Sequence, residues 1–542
     1  MSSAVTTTAA KLSLLPRARF GVREVCAATL FGALVLLAVM DKETQSIRAL
    51  ALWIAVPLAV LLEAFLPRDD DFPTWKRRGA IAAAGTFLTV LSAELLRDVI
   101  AAGGSNRREA LTAMVAFQAI PLWGVTMWLL APFLDRAWRA LRARNRPDFW
   151  SLSCAALALF GFWSFATAMA SDRPDRGFRY FGYEIGVLLP LFLVWVRAAT
   201  SFPALHRTMK TIGLGIAVFA LAYGVSMAGL YKFGSEETRA ALALDLPEAP
   251  ASVMKEWVPP HERALFGETM MWRLQAPFGH HNRLGYFSAV CVLLFLLAMP
   301  SAAKFQRSIL AVGAGLAVLA LVCTLGRAAM IALLAGSAVS AILLLGRRAL
   351  WGLLLLPVLW FAMPDSQRAR AISLVNPDTY KRDWSTVALR FQHWEATLSL
   401  IADHPVAGTG YGWKAFQYHH ERRAEELGLA VGFNHAHNVW LQVAGESGIP
   451  GLLFFAAWTG LRWAMLWRLW RATPREDRGR RWLLALWIGV EAAIQFYSLT
   501  NLPLRRSLAV LTWFVWAAMT ADLIRLSQQT SNEEPLEGRA GP

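Results

Sequence analysis

Long apolar runs alternate with short polar breaks along most of this chain. Runs of about 17–25 residues suffice to cross a bilayer as helix, and residues 25–40, 49–66, 111–134, 183–196, 309–323 and 328–345 are clear instances. The pattern predicts about fourteen membrane segments, at 22–40, 48–66, 80–101, 111–134, 149–170, 181–197, 211–230, 283–299, 308–324, 328–346, 350–363, 438–468, 483–499 and 507–526. Arginine and lysine collect in alternate breaks: Arg68 with Lys76, Arg77 and Arg78; Arg136 to Arg146; Arg197, Arg207 and Lys210; Lys304 and Arg307; Arg347 and Arg348; Arg471 to Arg481. Short basic loops face the cytoplasm, so both termini are expected there. Two long loops, 231–282 and 364–437, are then expected outside. The expected fold is an all-α polytopic membrane bundle of about 12–14 helices with a large periplasmic helical loop. Its parts are N-terminal membrane helices (1–230), a first periplasmic loop (231–282), central helices (283–363), a large periplasmic loop (364–437), C-terminal helices (438–526) and a disordered cytoplasmic tail (527–542).

The large loop carries a helical pattern of its own. Val387, Phe391, Trp394, Leu398 and Ile401 recur at helical spacing, a stripe able to lie on the membrane or on the bundle. Arg390, His393 and Thr397 share another face, and His404-Pro405 ends the helix. The glycine-rich stretch Gly408-Thr409-Gly410-Tyr411-Gly412 follows, suited to close backbone approach. It lacks the lysine of a phosphate-binding P-loop.

Composition narrows the class. The chain is 56% hydrophobic and 17% charged over 542 residues, outside the range of soluble domains, and its 24 tryptophans suit an interfacial aromatic belt. The net charge of +16 does not indicate nucleic acid, because the basic residues serve the inter-helix loops. Cys26, Cys154, Cys291 and Cys323 all lie in apolar runs, where inert buried thiols are the expectation. The first apolar stretch has no small-residue cleavage site after it and reads as a retained helix.

The candidate chemistry gathers on the outer side. Nine of the ten histidines fall there, His206 being the exception. His435 and His437 sit where the large loop meets an apolar helix, and imidazole can act as general base toward a hydroxyl. A metal held by these two with His419 or His420 is not expected, since no Cys or HExxH pattern accompanies them. His280, His281 and Asn282 stand at another helix start. Arg273, Arg327 and Arg390 place charge close to hydrocarbon, which marks functional candidates. Arginine also offers a planar fork of donors matched to phosphate oxygens. Glu446, followed by Ser447-Gly448-Ile449-Pro450-Gly451, is expected to mark a bend. Glu491 and Gln495, one turn apart, are expected to bond within the bundle.

Three stretches resemble the O-antigen ligase and polymerase superfamily of bacterial envelope enzymes. Thr324-Leu325-Gly326-Arg327-Ala328-Ala329 is similar to the family's Ser-Arg-Gly-Ala turn, with Gly326 in place of Ser and Ala328 in place of Gly. His404-Pro405-Val406-Ala407-Gly408-Thr409-Gly410 resembles its Pro-x-x-Gly-x-Gly element. His435-Ala436-His437-Asn438, continuing through Leu441-Gln442 to Glu446 and Gly451, is the strongest match. Arg273 with Phe278, Gly279 and Asn282 resembles a fourth element, in which His281 replaces the usual Pro.

The resemblance implies an inner-membrane, GT-C-like inverting glycosyltransferase that needs neither metal nor cofactor and works as a monomer with its site facing the periplasm. Its donor would be a glycan on undecaprenyl pyrophosphate. In the ligase branch the acceptor is a sugar hydroxyl of lipid A–core. By similarity His437 activates that hydroxyl, while Arg273, Arg327 and Arg390, with His281, Asn282, His435 and Asn438, bind substrate. A polymerase, a ligase acting on protein hydroxyls, and a transporter of lipid-linked glycan that makes no bond stay open on these residues alone. A transporter predicts broken helices and charge near the bilayer midplane, whereas the polar groups here collect at one face.

Overall fold

The computed structural model describes residues 140, 142 and 149–533, except 173–176, 178–179, 187, 202, 245–250, 258–269, 355–360, 362–367, 369–385 and 430–434. The four predicted segments before residue 140, and Cys26, lie outside the described residues. Among those described, the order is α1 (Phe149–Met169), a π-helical turn (Gly182–Gly186), α2 (Leu188–Ser201), α3 (Pro203–Phe233), α4 (Glu236–Ala243), β1 (Val253–Trp257), β2 (Met270–Leu274), α5 (His281–Ala298), α6 (Lys304–Thr324) and α7 (Arg327–Leu345). A 3-10 segment (Gly346–Leu354), α8 (Thr386–Asp403), α9 (Trp413–Glu426), α10 (Val439–Ala472), α11 (Arg478–Ser498) and α12 (Arg506–Glu533) complete it. Seven of these helical stretches are long and apolar enough to cross a membrane: Phe149–Met169, His206–Phe233, His281–Ser301, Lys304–Thr324, Arg327–Gly352, Val439–Ala472 and Leu508–Gln529. The chain is an all-α, multi-pass membrane protein.

Several expectations need correction. The 231–282 loop is not featureless: it holds α4 and an antiparallel hairpin in which Met254 faces Arg273 and Val253 faces Leu274. Five-residue strands such as Met-Met-Trp-Arg-Leu have too little alternation to announce themselves. The segment expected at 181–197 opens with a π-helical turn, in which Glu184 pairs with Arg505 and accepts from Tyr411, before α2. The segment expected at 350–363 begins as 3-10 helix. The tail expected to be disordered from 527 instead continues α12 to Glu533.

Close helix contacts use small residues. Ser340 on α7 donates to Gly336 O at 2.9 Å and to Ala485 O of α11 at 3.1 Å. A Cβ on Gly489 would meet the Ser340 hydroxyl and lie 2.6 Å from Gly336 O. Polar glue and small residues are how membrane helices associate. Gly489→Leu is therefore expected to cost about 1–3 kcal/mol by overpacking. It should lower the melting temperature in detergent; an unchanged value would mean that α7 and α11 part without penalty.

The core between α10, α11 and α12 is aromatic. Trp458 and Trp513 stack at 5.3 Å, and the Arg462 guanidinium lies between Trp458 and Trp516, at 4.1 and 4.2 Å. Glu491 neutralises it at 2.9 Å and also accepts from Trp516 and Gln495. The expected Glu491–Gln495 bond is thus present within a larger buried network. At the end of α3 far from the hairpin, His206 and Lys210 flank Asp522 of α12 at 2.8 and 2.9 Å, and Trp487 donates to it.

Candidate active site

The start of α5 forms one side. β2 ends in a turn through Gly279 (φ +60°) that delivers the chain to α5. Arg273, near the end of β2, is buried: its guanidinium reaches His281 Nε2 at 2.7 Å and donates to Leu325 O at 3.3 Å. His280 caps α5 by accepting from Asn282 N, and its ring stacks on His281 at 4.5 Å. The Asn282 carbonyl accepts from the Tyr497 hydroxyl at 2.8 Å, tying this corner to α11.

The α6–α7 turn forms the second side. Leu325 takes a left-handed conformation (φ +53°), and Gly326 lets α7 begin at once with Arg327. Gly285 of α5 packs under this turn, where a Cβ would sit 3.2 Å from the Thr324 hydroxyl and 3.1 Å from Ala329 Cβ. Arg273 thus grips the turn that carries Arg327, two residues from it.

The base side comes from α8 and the loop before α10. The face of α8 bearing His393 and Thr397 is buried, at 1% and 0% exposure, while Phe391 and Leu398 point outward at 52% and 54%. Phe391 and Leu398 of the apolar stripe thus face outward, Trp394 and Ile401 are half-buried, and His393 and Thr397 of the other face pack inward. Burial pushes the His393 imidazole down to about 4, with His420 and His435 adding repulsion. The His393 carbonyl accepts from His420 Nε2 at 3.2 Å.

His437 does not itself open α10. It sits one residue before the cap in left-handed backbone (φ +51°), and Asn438 caps the helix by accepting from the amides of Trp440 and Leu441. That left-handed residue brings the His435 and His437 rings to 4.0 Å, a convergence that extended backbone would otherwise be needed to give. Burial pulls the His437 pKa well below its usual value; His435, Arg390, His393 and His280 then oppose its protonation. His280, at the start of α5, adds the smallest of these contributions.

The glycine stretch supports this loop. Gly408, Gly410 and Gly412 all have positive φ. Thr409 N donates to Gly445 O at 2.8 Å and Ile449 N to Pro405 O at 2.8 Å, docking the turn on the bend of α10. Gly448 (φ +68°) makes that bend, as its Gly-x-Pro context predicts.

Arg273, His281 and Asn282 gather at the start of α5 with the turn that carries Arg327, and His435, His437 and Asn438 gather at the start of α10, where Arg390 and His280 bear electrostatically on His437. These are the starts of α5, α7 and α10, and helix N-termini carry partial positive charge. Three arginines and three such termini suit a multiply charged anion. A neutral imidazole suits proton abstraction. Among the described residues no cluster of His, Cys, Asp or Glu is arranged to hold a metal ion. Tyr497 was not singled out by the sequence, His420 was weighed only as a metal ligand, and His393 only as a neighbour of Arg390 on α8. Arg505 and Glu184, whose ion pair also includes Glu446, were missed too, because their partners come from distant segments.

Low basicity in His437 has a measurable consequence. A general base at His437 would work only when neutral, so turnover should persist well below pH 6.5 and fall only as pH drops through the lowered pKa. Arg390→Gln removes one repelling cation, and should move that acidic limb to higher pH; an unmoved limb in a pH–rate profile would detach Arg390 from His437.

Residues 312–456 match the O-antigen ligase family. The match runs from within α6 into α10 and includes Arg327, Arg390, His435 and His437, but not Arg273 or His281. The motif resemblance therefore holds: this multi-pass membrane protein carries an O-antigen ligase-like segment, and that segment holds the imidazole side of the site. No curated protein matches the chain.

Proposed function

We propose that the protein is an O-antigen ligase, transferring a glycan from undecaprenyl pyrophosphate to a sugar hydroxyl of lipid A–core in the periplasmic leaflet of the inner membrane, with inversion. The observation that carries this reading is the convergence of the His435 and His437 rings at the start of α10, taken with the grip of Arg273 on the turn that carries Arg327. The acceptor oxygen attacks the anomeric carbon as the bond from that carbon to the phosphate oxygen breaks. The electron pair leaves with undecaprenyl pyrophosphate, and the hydroxyl proton passes to His437. A diphosphate leaves readily once its charge is met, which is what Arg273, Arg327 and Arg390 supply without a metal. The hydroxyl is the poor partner, and there the base contributes. His281, Asn282, His435 and Asn438 complete the substrate-binding border, Asn438 by fixing the helix start. Both substrates are lipid-anchored, so the site opens sideways to the membrane, and a single copy of the chain suffices.

The test is reconstitution of purified protein with a lipid-linked glycan and lipid A–core. Glycan should move onto the core in the absence of divalent cations. Elongation of the lipid-linked glycan alone would identify a polymerase. Movement across the bilayer without bond formation would identify a transporter.

A further inference from the structure

Gln442 lies one turn into α10 and is 1% exposed. Its carbonyl oxygen accepts from the Ala436 backbone N–H at 2.9 Å, and its amide nitrogen donates to Glu446 at 2.6 Å. Ala436 is the residue between His435 and His437. Glu446 in turn accepts from Gly412 N at 3.3 Å and pairs with Arg505, which also pairs with Glu184. Tyr411 donates to Glu184 at 3.2 Å. A small cavity of about 30 Å³ borders Glu184, Tyr411, Gln442 and Arg505. One continuous chain of hydrogen bonds therefore runs from the peptide between the two imidazoles, through Gln442 and Glu446, to the π-turn and the start of α12.

The geometry points to Gln442 as a positioning residue that sets the direction of the His437 imidazole through the Ala436 peptide. The Ala436 N–H belongs to the peptide that joins His435 to Ala436, so a shift there moves the loop that leads into His437, whose ring meets that of His435 at 4.0 Å. Only a side chain that accepts at one end and donates at the other can join a backbone N–H to a carboxylate. Leucine does neither. Glutamate does both only while a proton is present, because two carboxyls in contact must share one. The titratable and charged groups that face this position are Glu446 on α10, Arg505 before α12, Glu184 in the π-turn, Tyr411 in the glycine turn, and the imidazoles of His435 and His437.

The inference rests on the reading of His437 as the base. It is tested with Gln442→Leu and Gln442→Glu in the full chain, assayed for glycan transfer over a pH series. Misplacement of a reacting group by about 1 Å costs about 10²-fold in rate. Gln442→Leu is expected to lose kcat by about that factor, with donor KM unchanged. Gln442→Glu should keep most of its turnover at acidic pH, and its ratio to the native enzyme should fall as pH rises and the shared proton leaves. Native kcat in Gln442→Leu overturns the inference. So does a Gln442→Glu protein that is folded yet equally impaired at every pH, since that is the mark of a merely structural role. Should Gln442→Leu fail to fold, the pH course of Gln442→Glu decides alone. If His437→Ala is inactive while Gln442→Leu is native, only the positioning role falls; if His437→Ala is active, the base assignment falls with it.

Discussion

His437→Ala is expected to lower turnover by about 10²–10⁴-fold, the range that a positioned general base contributes, while the protein still folds and binds the lipid-linked donor. In the proposed reaction the imidazole and the arginines have separate chemical roles. Burial first, and then the surrounding imidazoles and Arg390, disfavour its protonated form, so it carries no charge that the diphosphate would miss. Asn438, not His437, caps α10, and the docking of the glycine turn on α10 does not pass through the ring. The loss should therefore appear in kcat and leave donor KM near its native value. A variant with native kcat would remove His437 from proton transfer and leave the arginines without a chemical partner.

Arg327→Lys should be nearly as damaging, by about 10²–10³-fold, the cost of losing one preorganised donor to developing charge. Lysine keeps the positive charge but not the planar fork. The residue is the first of α7, with its backbone set by Leu325 and Gly326 and braced by Arg273 and Gly285. A backbone held that closely cannot shift to compensate for a side chain with shorter donors. Here the loss should fall on both kcat and donor KM, which separates it from the His437 variant. Wild-type kinetics in Arg327→Lys would mean that the position serves only charge balance against lipid.

Much of this was legible in the residues. Apolar runs announced the spanning helices: of the ten segments expected from residue 149 onward, seven recur among the described residues as helices able to span, with ends shifted by a few residues, while 181–197, 350–363 and 483–499 are not among them. The bend at Gly448 and the end of α8 at His404-Pro405 followed from local backbone chemistry. The faces of α8 were legible as two stripes, but not which one packs inward. That depends on the buried imidazoles of His393 and His420 finding each other across α8 and α9, at 5.1 Å. The β-hairpin escaped because its strands are short and unpatterned. The Arg505–Glu184–Glu446 cluster escaped because its members stand 59 and 321 residues apart in sequence, and no local spacing signals such a meeting. Arg273 was legible beside its neighbours, whereas its grip on the Leu325 carbonyl is a tertiary fact.

The left-handed backbone at His437 limits how far its motif can travel. A residue with a Cβ pays about 1–2 kcal/mol to sit there, so the four letters His-Ala-His-Asn do not by themselves bring the two rings together. Grafted onto another protein without the scaffold beneath, the same string would relax and its imidazoles would part. What is portable is a larger unit, loop plus glutamine plus carboxylate, and a search for enzymes of this kind should look for that unit, not for the tetrapeptide.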